Sequence, residues 1–555
     1  MTQMEESNND NFLGESKSRN ESSSAGRVGT YVMKFGGSSL AGSSEILRCV
    51  SIIKDHLVNT KKSLIVVCSA MGDTTDRLLR MVELAKVSEY DVVKEALLEL
   101  RESHRMVILK ILRGSKFESE ALDFLDSKFQ ELDRILKGIT LLRDLSQRSL
   151  DYVLSIGEQL STFIMSRVLA SNGIETRYLT GGQAGIVTDE SFGSAQPDFK
   201  LTEENLRKNL IPLLAAGIVP VVTGFIAETL RGHDIITLGR GGSDLTATLI
   251  GAAIEAEEVF IWTDVDGILT ADPRLVKEAR ILQQITYLEA MEMSAFGAKQ
   301  MQPRALEPVA RKEIPVRIKN TFRPEAEGTL IVSPNKILNS GDSGVKSIGS
   351  LSNVAIVSIS GTSIVGQPGT AIKIFEILKE LGVNVLMISQ SVSESNVSIV
   401  IRKERLSSVV RTLRQKLLHS EAIGEDDDEE EEQQMDQRDS SHQEKAEKSS
   451  KGRAYMNSIF AKVDYEDDVA VVAVLGRGMI GTPGIAARVF TTVASLGINI
   501  RMIAQGSSEI NISFVIKEKE RARAVRALHD EFCLGQTHRN LLPENAERNV
   551  VTNLV

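Results

Sequence analysis

The last third of the chain writes one pattern twice, and that repetition limits the fold more than any other feature. The first copy runs Val354–Ser360, Gly366-Gln367-Pro368-Gly369-Thr370-Ala371, Ile374-Phe375, Gly382-Val383-Asn384-Val385, Ile388-Ser389-Gln390 and Asn396-Val397-Ser398-Ile399. The second runs Val469–Gly476, Gly481-Thr482-Pro483-Gly484-Ile485-Ala486, Val489-Phe490, Gly497-Ile498-Asn499-Ile500, Ile503-Ala504-Gln505 and Asn511-Ile512-Ser513-Phe514. Each reads strand, helix, strand, strand, followed by a charged helix at Glu404–Leu418 or Glu518–Phe532. That order is a ferredoxin-like α+β module. Pro-Gly before each first helix leaves backbone N–H groups suited to a carboxylate. Gln390 and Gln505 end the second strands, and Asn511 opens the third strand of the second copy. Loops that only pack two modules together fit the same residues. Gln390-Ser391-Val392-Ser393-Glu394 differs from Gln505-Gly506-Ser507-Ser508-Glu509, so the copies need not be equivalent.

Between the copies, Glu425–Glu432 is eight consecutive acids, followed by a low-complexity stretch to Arg453. Such a segment is predicted to be disordered. Ile459–Tyr465 reads as the missing last strand of the first module, which makes 424–453 an insert in that module. The formal net charge of −10 is concentrated here: residues 425–452 hold 12 acidic and 4 basic side chains, which leaves −2 for the rest. That argues against nucleic acid as a partner. Residues 1–28, rich in Ser, Asn and Glu, lack the apolar core of a signal peptide and read as a disordered tail. Cys49, Cys68 and Cys533 show no ligand or disulfide spacing, which points to a cytoplasmic location, and the seven histidines form no close pair, so no metal site is expected. The apolar run Leu210–Ala227 is interrupted by Pro212, Gly217, Pro220 and Gly224, and reads as a helix end followed by a strand at Ile218–Thr223 rather than a membrane span.

The first 335 residues alternate strand and helix, which implies a mostly parallel sheet with helices on both faces. Val32-Met33-Lys34-Phe35 runs into Gly36-Gly37-Ser38-Ser39, a strand–glycine–helix joint of the kind that holds phosphates. It matches neither G-x-G-x-x-G nor G-x-x-x-x-G-K-[ST]. Lys34 sits where an ammonium meets phosphoryl oxygens, although an exposed strand-end lysine is the commoner fate. Leu64–Cys68 is a second buried-type strand ending in small residues, and Thr75 follows at a helix start, as a substrate contact or only as a cap. Residues 82–150 read as a helical excursion. Tyr152–Ser161 begins another helix, with Glu158 near its start, placed for a cationic amine or for the helix dipole. Further strands fall at Thr176–Leu179 and Glu258–Trp262. Ile236–Leu238 leads into Gly239-Arg240-Gly241-Gly242 and a helix with Ser243 or Asp244 as N-cap. The glycines let backbone N–H groups approach an anion, and Arg240 adds a guanidinium suited to a carboxylate or phosphate. A glycine-rich turn before a capped helix fits this stretch equally well. Thr263-Asp264 through Leu269 to Arg274 is a strand-end loop dense in hydroxyls and acids, and Phe296-Gly297-Ala298-Lys299 offers another lysine.

Lys34–Ser39, Thr237–Asp244, Trp262–Gly267 with Thr270–Arg274, and Phe296–Lys299 stand in the order and spacing of the aspartokinases of the amino-acid kinase family. The resemblance covers roughly residues 30–535, and the two C-terminal modules resemble a pair of ACT domains. It implies an amino-acid-kinase-type three-layer α/β sandwich over 29–335. A first ACT domain over 346–465, a second over 467–535 and a tail over 536–555 follow. It also implies transfer of the γ-phosphoryl group from ATP with Mg2+ to the β-carboxylate of L-aspartate. The product, 4-phospho-L-aspartate, starts the route to lysine, threonine, methionine and isoleucine. By the same resemblance Lys34 stabilises the transferring phosphoryl group and Asp244 organises it. Arg240, Gly241, Gly242, Ser243, Thr75 and Glu158 hold aspartate. Gly36, Gly37, Ser38, Thr263, Asp264, Leu269, Arg274, Lys299 and Gln300 fall on the nucleotide side, and Gln390, Gln505 and Asn511 on the allosteric side. Leu269 stands where tyrosine is common, and Lys299-Gln300-Met301-Gln302-Pro303 replaces Lys-Val-Leu-His-Pro. The resemblance further implies a homo-oligomer formed through the ACT domains and an amino-acid effector, threonine rather than lysine. A homoserine dehydrogenase half is not expected, since the chain ends at Val555 with no dinucleotide fingerprint. A catalytically silent amino-acid-sensing subunit and a different amino-acid kinase are the competing readings.

Overall fold

The computed structural model describes residues 29–87, 89–296, 301–337, 344–361, 370–390, 396–418, 462–506 and 508–536. The tail at 1–28, the acidic insert and residues 537–555 lie outside them. In the first half the strands are β1 (Thr30–Phe35), β2 (Ser63–Cys68), β3 (Thr176–Leu179), β4 (Val187–Thr188), β5 (Val219–Thr223), β6 (Ile226–Thr229), β7 (Ile235–Thr237), β8 (Glu258–Thr263), β9 (Gln284–Thr286), β10 (Val316–Asn320) and β11 (Thr329–Val332). Interleaved are α1 (Ser43–Thr60), α2 (Thr74–Val87), α3 (Tyr90–Ile111), α4 (Glu118–Leu142), α5 (Gln147–Ser171), α6 (Gly181–Ala184), α7 (Phe199–Ala215), α8 (Gly242–Ala253), α9 (Tyr287–Ala295) and α10 (Pro303–Lys312).

Eight strands form one sheet in the order β3-β5-β2-β1-β8-β10-β11-β9. Every pairing is parallel except β10 with β11. The central strands are apolar on both sides, as a sheet covered on both faces requires. One face packs Ile46 and Ile53 of α1 and Ile156 and Leu160 of α5 into a core that takes in α3 and α4 through Leu100 and Leu132. The other packs Leu206 of α7, Leu249 of α8 and Val309 of α10. Each such side chain, fully buried, contributes about 1.5–3 kcal/mol. The expected three-layer α/β sandwich is therefore present, with β4, β6 and β7 as a small additional sheet. Pro212 does not break its helix but sits in the last turn of α7. Gly217, at φ 75°, ends it, with the Ile218 N–H donating back to the Leu213 carbonyl.

The repeated half contains β12 (Ser347–Ser360), α11 (Thr370–Glu380), β13 (Met387–Gln390), β14 (Asn396–Arg402), α12 (Leu406–Leu418), β15 (Lys462–Leu475), α13 (Ile485–Ser495), β16 (Met502–Gln505), β17 (Asn511–Lys517) and α14 (Arg521–Glu531). All six strands join in one antiparallel sheet, β13-β14-β12-β15-β17-β16. Its two central strands are 14 residues each and pair from Ser347 with Leu475 to Ser360 with Lys462. The first strand, expected at Val354, thus begins at Ser347, and the described parts of the strands expected at Ile459–Tyr465 and Val469–Gly476 form one continuous β15 from Lys462 to Leu475. Each long strand serves both copies: 354–360 and 462–466 lie among the first copy's strands, 347–351 and 469–475 among the second's. Helices of the first copy cover Val357, Ile399 and Val463; those of the second cover Val472, Val474 and Phe514. On the opposite face, Ala473 and Leu475 join the core of the first half. Among the described residues no helix is long and apolar enough to cross a membrane.

Candidate active site

The carboxyl ends of β1, β2 and β5 and the start of α8 surround a cleft of about 320 Å3. Lys34 enters it from the end of β1, 9% exposed, and its Nζ lies 2.6 Å from Asp244 Oδ1. Exposure of a strand-end lysine is thereby ruled out. Beyond Lys34 the chain stays against β8, with the Gly36 N–H donating to the Trp262 carbonyl at 3.1 Å. Gly37 passes so close to the next loop that a Cβ there would stand 2.8 Å from the Gly72 carbonyl oxygen. That contact explains the glycine better than turn preference does.

The helix α8 starts earlier than expected. Gly241, at φ 76°, is its N-cap, with no side-chain cap, so neither Ser243 nor Asp244 plays that part. A Cβ on Gly241 would run into Gln302 Cγ at 2.3 Å. With Asp244 in the first turn and the Ser243 N–H at the helix start, a cation-paired acid and a backbone donor share one corner, while the Gly242 N–H donates to the Gly239 carbonyl at 2.9 Å. Arg240 stands exposed at its rim.

Glu158 is mid-helix, not near a helix start, because α5 begins at Gln147, where Ser146 Oγ accepts the Ser149 N–H. It is 4% exposed, and its Oε2 has no hydrogen-bond partner among the described residues. Burial raises its carboxyl to about 8, against the opposite pull of the Ala70 N–H and Lys34. An acid held this way is neutral near pH 7 until a cation arrives. Two turns earlier on α5, buried Asp151 accepts hydrogen bonds from the N–H groups of Gly193 and Thr237 and from Thr237 Oγ1, each at 3.0 Å. It fixes the strand that delivers Gly239 to the cleft.

Lys34, Gly37, Thr75, Glu158, Arg240, Gly241, Gly242, Ser243 and Asp244 therefore line one cleft. Ala70, Gly72 and Phe225 line it too and were not anticipated. The small residues ending β2 were the available signal for the first two. Phe225 carries none: it stands at φ 66°, with its carbonyl taking the Leu238 N–H at 2.8 Å. Gly36, Ser38, Thr263, Asp264, Leu269 and Arg274 are not part of that lining. Thr263 ends β8, where Thr263 Oγ1 donates to Asp264 Oδ1 at 3.1 Å. Arg274 is 84% exposed and clamped by Asp272 through two N–H donors. Leu269 gives its carbonyl to Ser347 Oγ at 3.3 Å. Lys299 and Gln300 lie outside the described residues. Gln390 and Gln505 end edge strands and are exposed, whereas Asn511 donates to Glu292 Oε2 on α9 at 3.1 Å. The first copy's Pro-Gly loop is outside the described residues; in the second, the Gly481 N–H already donates to Glu509 at 2.7 Å. Among the described residues no group of three or more His, Cys, Asp or Glu could hold a metal ion.

Comparison with known proteins agrees with this arrangement. Residues 29–320 match the amino acid kinase family, and residues 357–417 and 472–532 match the ACT domain. Bifunctional aspartokinase/homoserine dehydrogenase 2, chloroplastic, of Arabidopsis thaliana is 34% identical over 510 residues, 91% of this chain and 51% of that protein. The chain thus spans about half the length of such bifunctional relatives. Aspartokinase 1, chloroplastic, of the same plant is 32% identical over 521 residues, 91% of this chain and 80% of the relative. The structure of E. coli aspartokinase III in complex with aspartate and ADP is similar at a TM-score of 0.69 and 26% identity, covering 90% of this chain and 99% of that one. From the glycine-lined cleft to the paired C-terminal modules, the chain belongs to the amino acid kinase family, and within it to the aspartokinases.

Proposed function

We propose that the protein is an aspartate kinase that phosphorylates the β-carboxylate of L-aspartate with ATP and is inhibited by an amino acid acting through its ACT domains. The observation that carries this reading is the buried Glu158 carboxyl, whose Oε2 has no hydrogen-bond partner among the described residues, in the same glycine-lined cleft as the Lys34–Asp244 pair. Glu158 takes the substrate ammonium and Arg240 a substrate carboxylate, while Thr75 and the Gly241–Ser243 backbone position it. The β-carboxylate is already a nucleophile, so no strong base is needed. Lys34 neutralises charge on the phosphoryl oxygens in transit, and Asp244 holds Lys34 in place. Gly36, Gly37 and Ser38, with Thr263, Asp264, Leu269, Arg274, Lys299 and Gln300, form the nucleotide side. Magnesium fits as the counter-ion of ATP. Of the cleft's carboxyl groups, Asp244 is paired with Lys34 and Glu158 is neutral near pH 7, which suits an ion held chiefly by phosphate oxygens and water. It would supply charge neutralisation on those oxygens.

The product, 4-phospho-L-aspartate, serves lysine, threonine, methionine and isoleucine synthesis. We assign 29–335 to catalysis and the two ACT units to effector sensing, with threonine as the preferred effector. Exposed Ile388 and Ile503 occupy the same position on the edge strands β13 and β16, which supports association of copies through those edges. The three free thiols suit a reducing compartment, the cytoplasm.

The test is ATP-dependent acyl phosphate formation trapped as the hydroxamate, with L-aspartate, L-glutamate or no acceptor, with and without threonine or lysine. Turnover with aspartate alone is expected, and Lys34→Ala should lower kcat by about 10²–10³-fold while effector binding persists. Retained turnover in that variant would overturn the assignment.

A further inference from the structure

The stretch that follows β8 is fastened to the second repeat, and the fastening converges on Thr270, which is 4% exposed. Its N–H donates to the Arg280 carbonyl at 2.8 Å, and its carbonyl accepts the Ile348 N–H of β12 at 2.8 Å. Its Oγ1 accepts the Arg280 N–H at 3.0 Å. Those three bonds use backbone groups of the partners, so they do not depend on the partners' side chains. The fourth contact does: Thr270 Oγ1 lies 3.0 Å from Nε2 of His529, in the last turn of α14. On either side of Thr270, Leu269 gives its carbonyl to Ser347 Oγ and Ala271 bridges to Ile348. Ala271 and Val276 then enter the core of the second repeat with Leu528.

His529 is a poor choice for packing alone. It is fully buried, and its Nδ1 has no hydrogen-bond partner among the described residues. Burial, with Arg280, lowers the basicity of the ring against the pull of Asp530 and Glu278, so it is neutral near pH 7. An apolar side chain of similar size would avoid the cost of that bare nitrogen. What the imidazole adds is the bond to Thr270. We propose that His529 is a positioning residue for the nucleotide: through Thr270 it holds the Thr263–Arg274 loop in the conformation that receives ATP. The loop lies beyond the carboxyl end of β8, which pairs with β1 beside Lys34, and open α/β sheets take their ligands at that end. Thr263 and Asp264 precede the pinned residue and Arg274 follows it, so one bond fixes both arms of the loop. The inference rests on the reading of this loop as the nucleotide side.

Steady-state kinetics of the full chain, with ATP and aspartate varied in turn, test it beside calorimetric titration with Mg-ADP. His529→Leu and Thr270→Val should each raise KM for ATP and Kd for Mg-ADP about three- to tenfold, the scale of one neutral hydrogen bond, with KM for aspartate unchanged. The double variant should show the same rise and not the product of the two, because both changes remove one contact. His529→Gln, whose amide reaches the place of Nε2, should stay near wild type. Thermal midpoints separate positioning from packing. With both polar partners replaced by apolar groups, the double variant should melt close to wild type while its ATP defect persists. Unchanged KM for ATP in His529→Leu and Thr270→Val overturns the proposal, as does an equal rise for both substrates or a multiplied effect in the double variant. If the wild type binds Mg-ADP without turnover, the kinase reading fails and the Kd ratios still decide. If it binds no Mg-ADP, the nucleotide side is wrong and the proposal falls with it.

Discussion

Glu158 is the side chain whose charge depends most on its ligand. Its folded-state value of about 8 stands above the ordinary 4.5, so the free protein keeps a proton that an ammonium must displace. The apparent kcat/KM for aspartate should therefore rise with pH up to about 8, and Glu158→Gln should flatten that rise while weakening aspartate binding. The same shift fixes the sign for stability. The unfolded chain releases the proton near 4.5 and the folded chain near 8, so the group's contribution is full below 4.5 and is lost as pH climbs to about 8. Glu158→Gln should melt higher than wild type above pH 8 and match it near pH 4.5, as calorimetry at the two pH values would show. Gly37 belongs to the same scale. A methyl group there meets the Gly72 carbonyl, which is backbone and cannot swing aside. Gly37→Ala should cost about 10²-fold in turnover through displacement of the phosphate loop, measured by steady-state kinetics against ATP.

Among the elements, α9 joins the two halves. Its cap residue pair, Thr286 and Glu289, forms a capping box, yet Glu289 also accepts the Arg477 N–H at 2.8 Å and faces Lys346 Nζ at 3.2 Å, fully buried. Glu289→Ala should destabilise the chain by about 3–5 kcal/mol, the cost of breaking a buried ion pair, with a smaller loss for Glu289→Gln; urea midpoints would rank them. None of this was visible in sequence, where Glu289 is one acid in an ordinary amphipathic run. Local signals read well where structure is local. Thr176–Leu179 was placed to the residue, and the glycines of both corners located the cleft. Helix starts failed at Glu158 and Ser243 because Ser146 and Gly241, further upstream, make the caps. Phe225 and Asp151 were missed because their roles come from partners far along the chain.

At the scale of the whole molecule, the six-stranded sheet of the repeats is also a wall of the first half's core. Ala473 and Leu475 pack with Leu306, Val309 and Ile331, so a fragment ending near residue 337 would leave that patch open to water. Such a fragment, 29–337, should melt several degrees below the full chain and self-associate; differential scanning calorimetry with light scattering would show both. The long-strand pairing has a further consequence during synthesis. Ser360 leaves the ribosome about a hundred residues before its partner Lys462, and Ser347 waits longer still for Leu475. Neither repeat can close its sheet on its own stretch of nascent chain: the first waits for 462–466 of β15, and the second, which takes 347–351 from β12, is complete only once β17 has emerged. A contact order this high slows folding and leaves strand edges unpaired meanwhile. The two copies are alike in sequence, but the growing polypeptide completes them one after the other, each with a strand segment lent by the other's stretch.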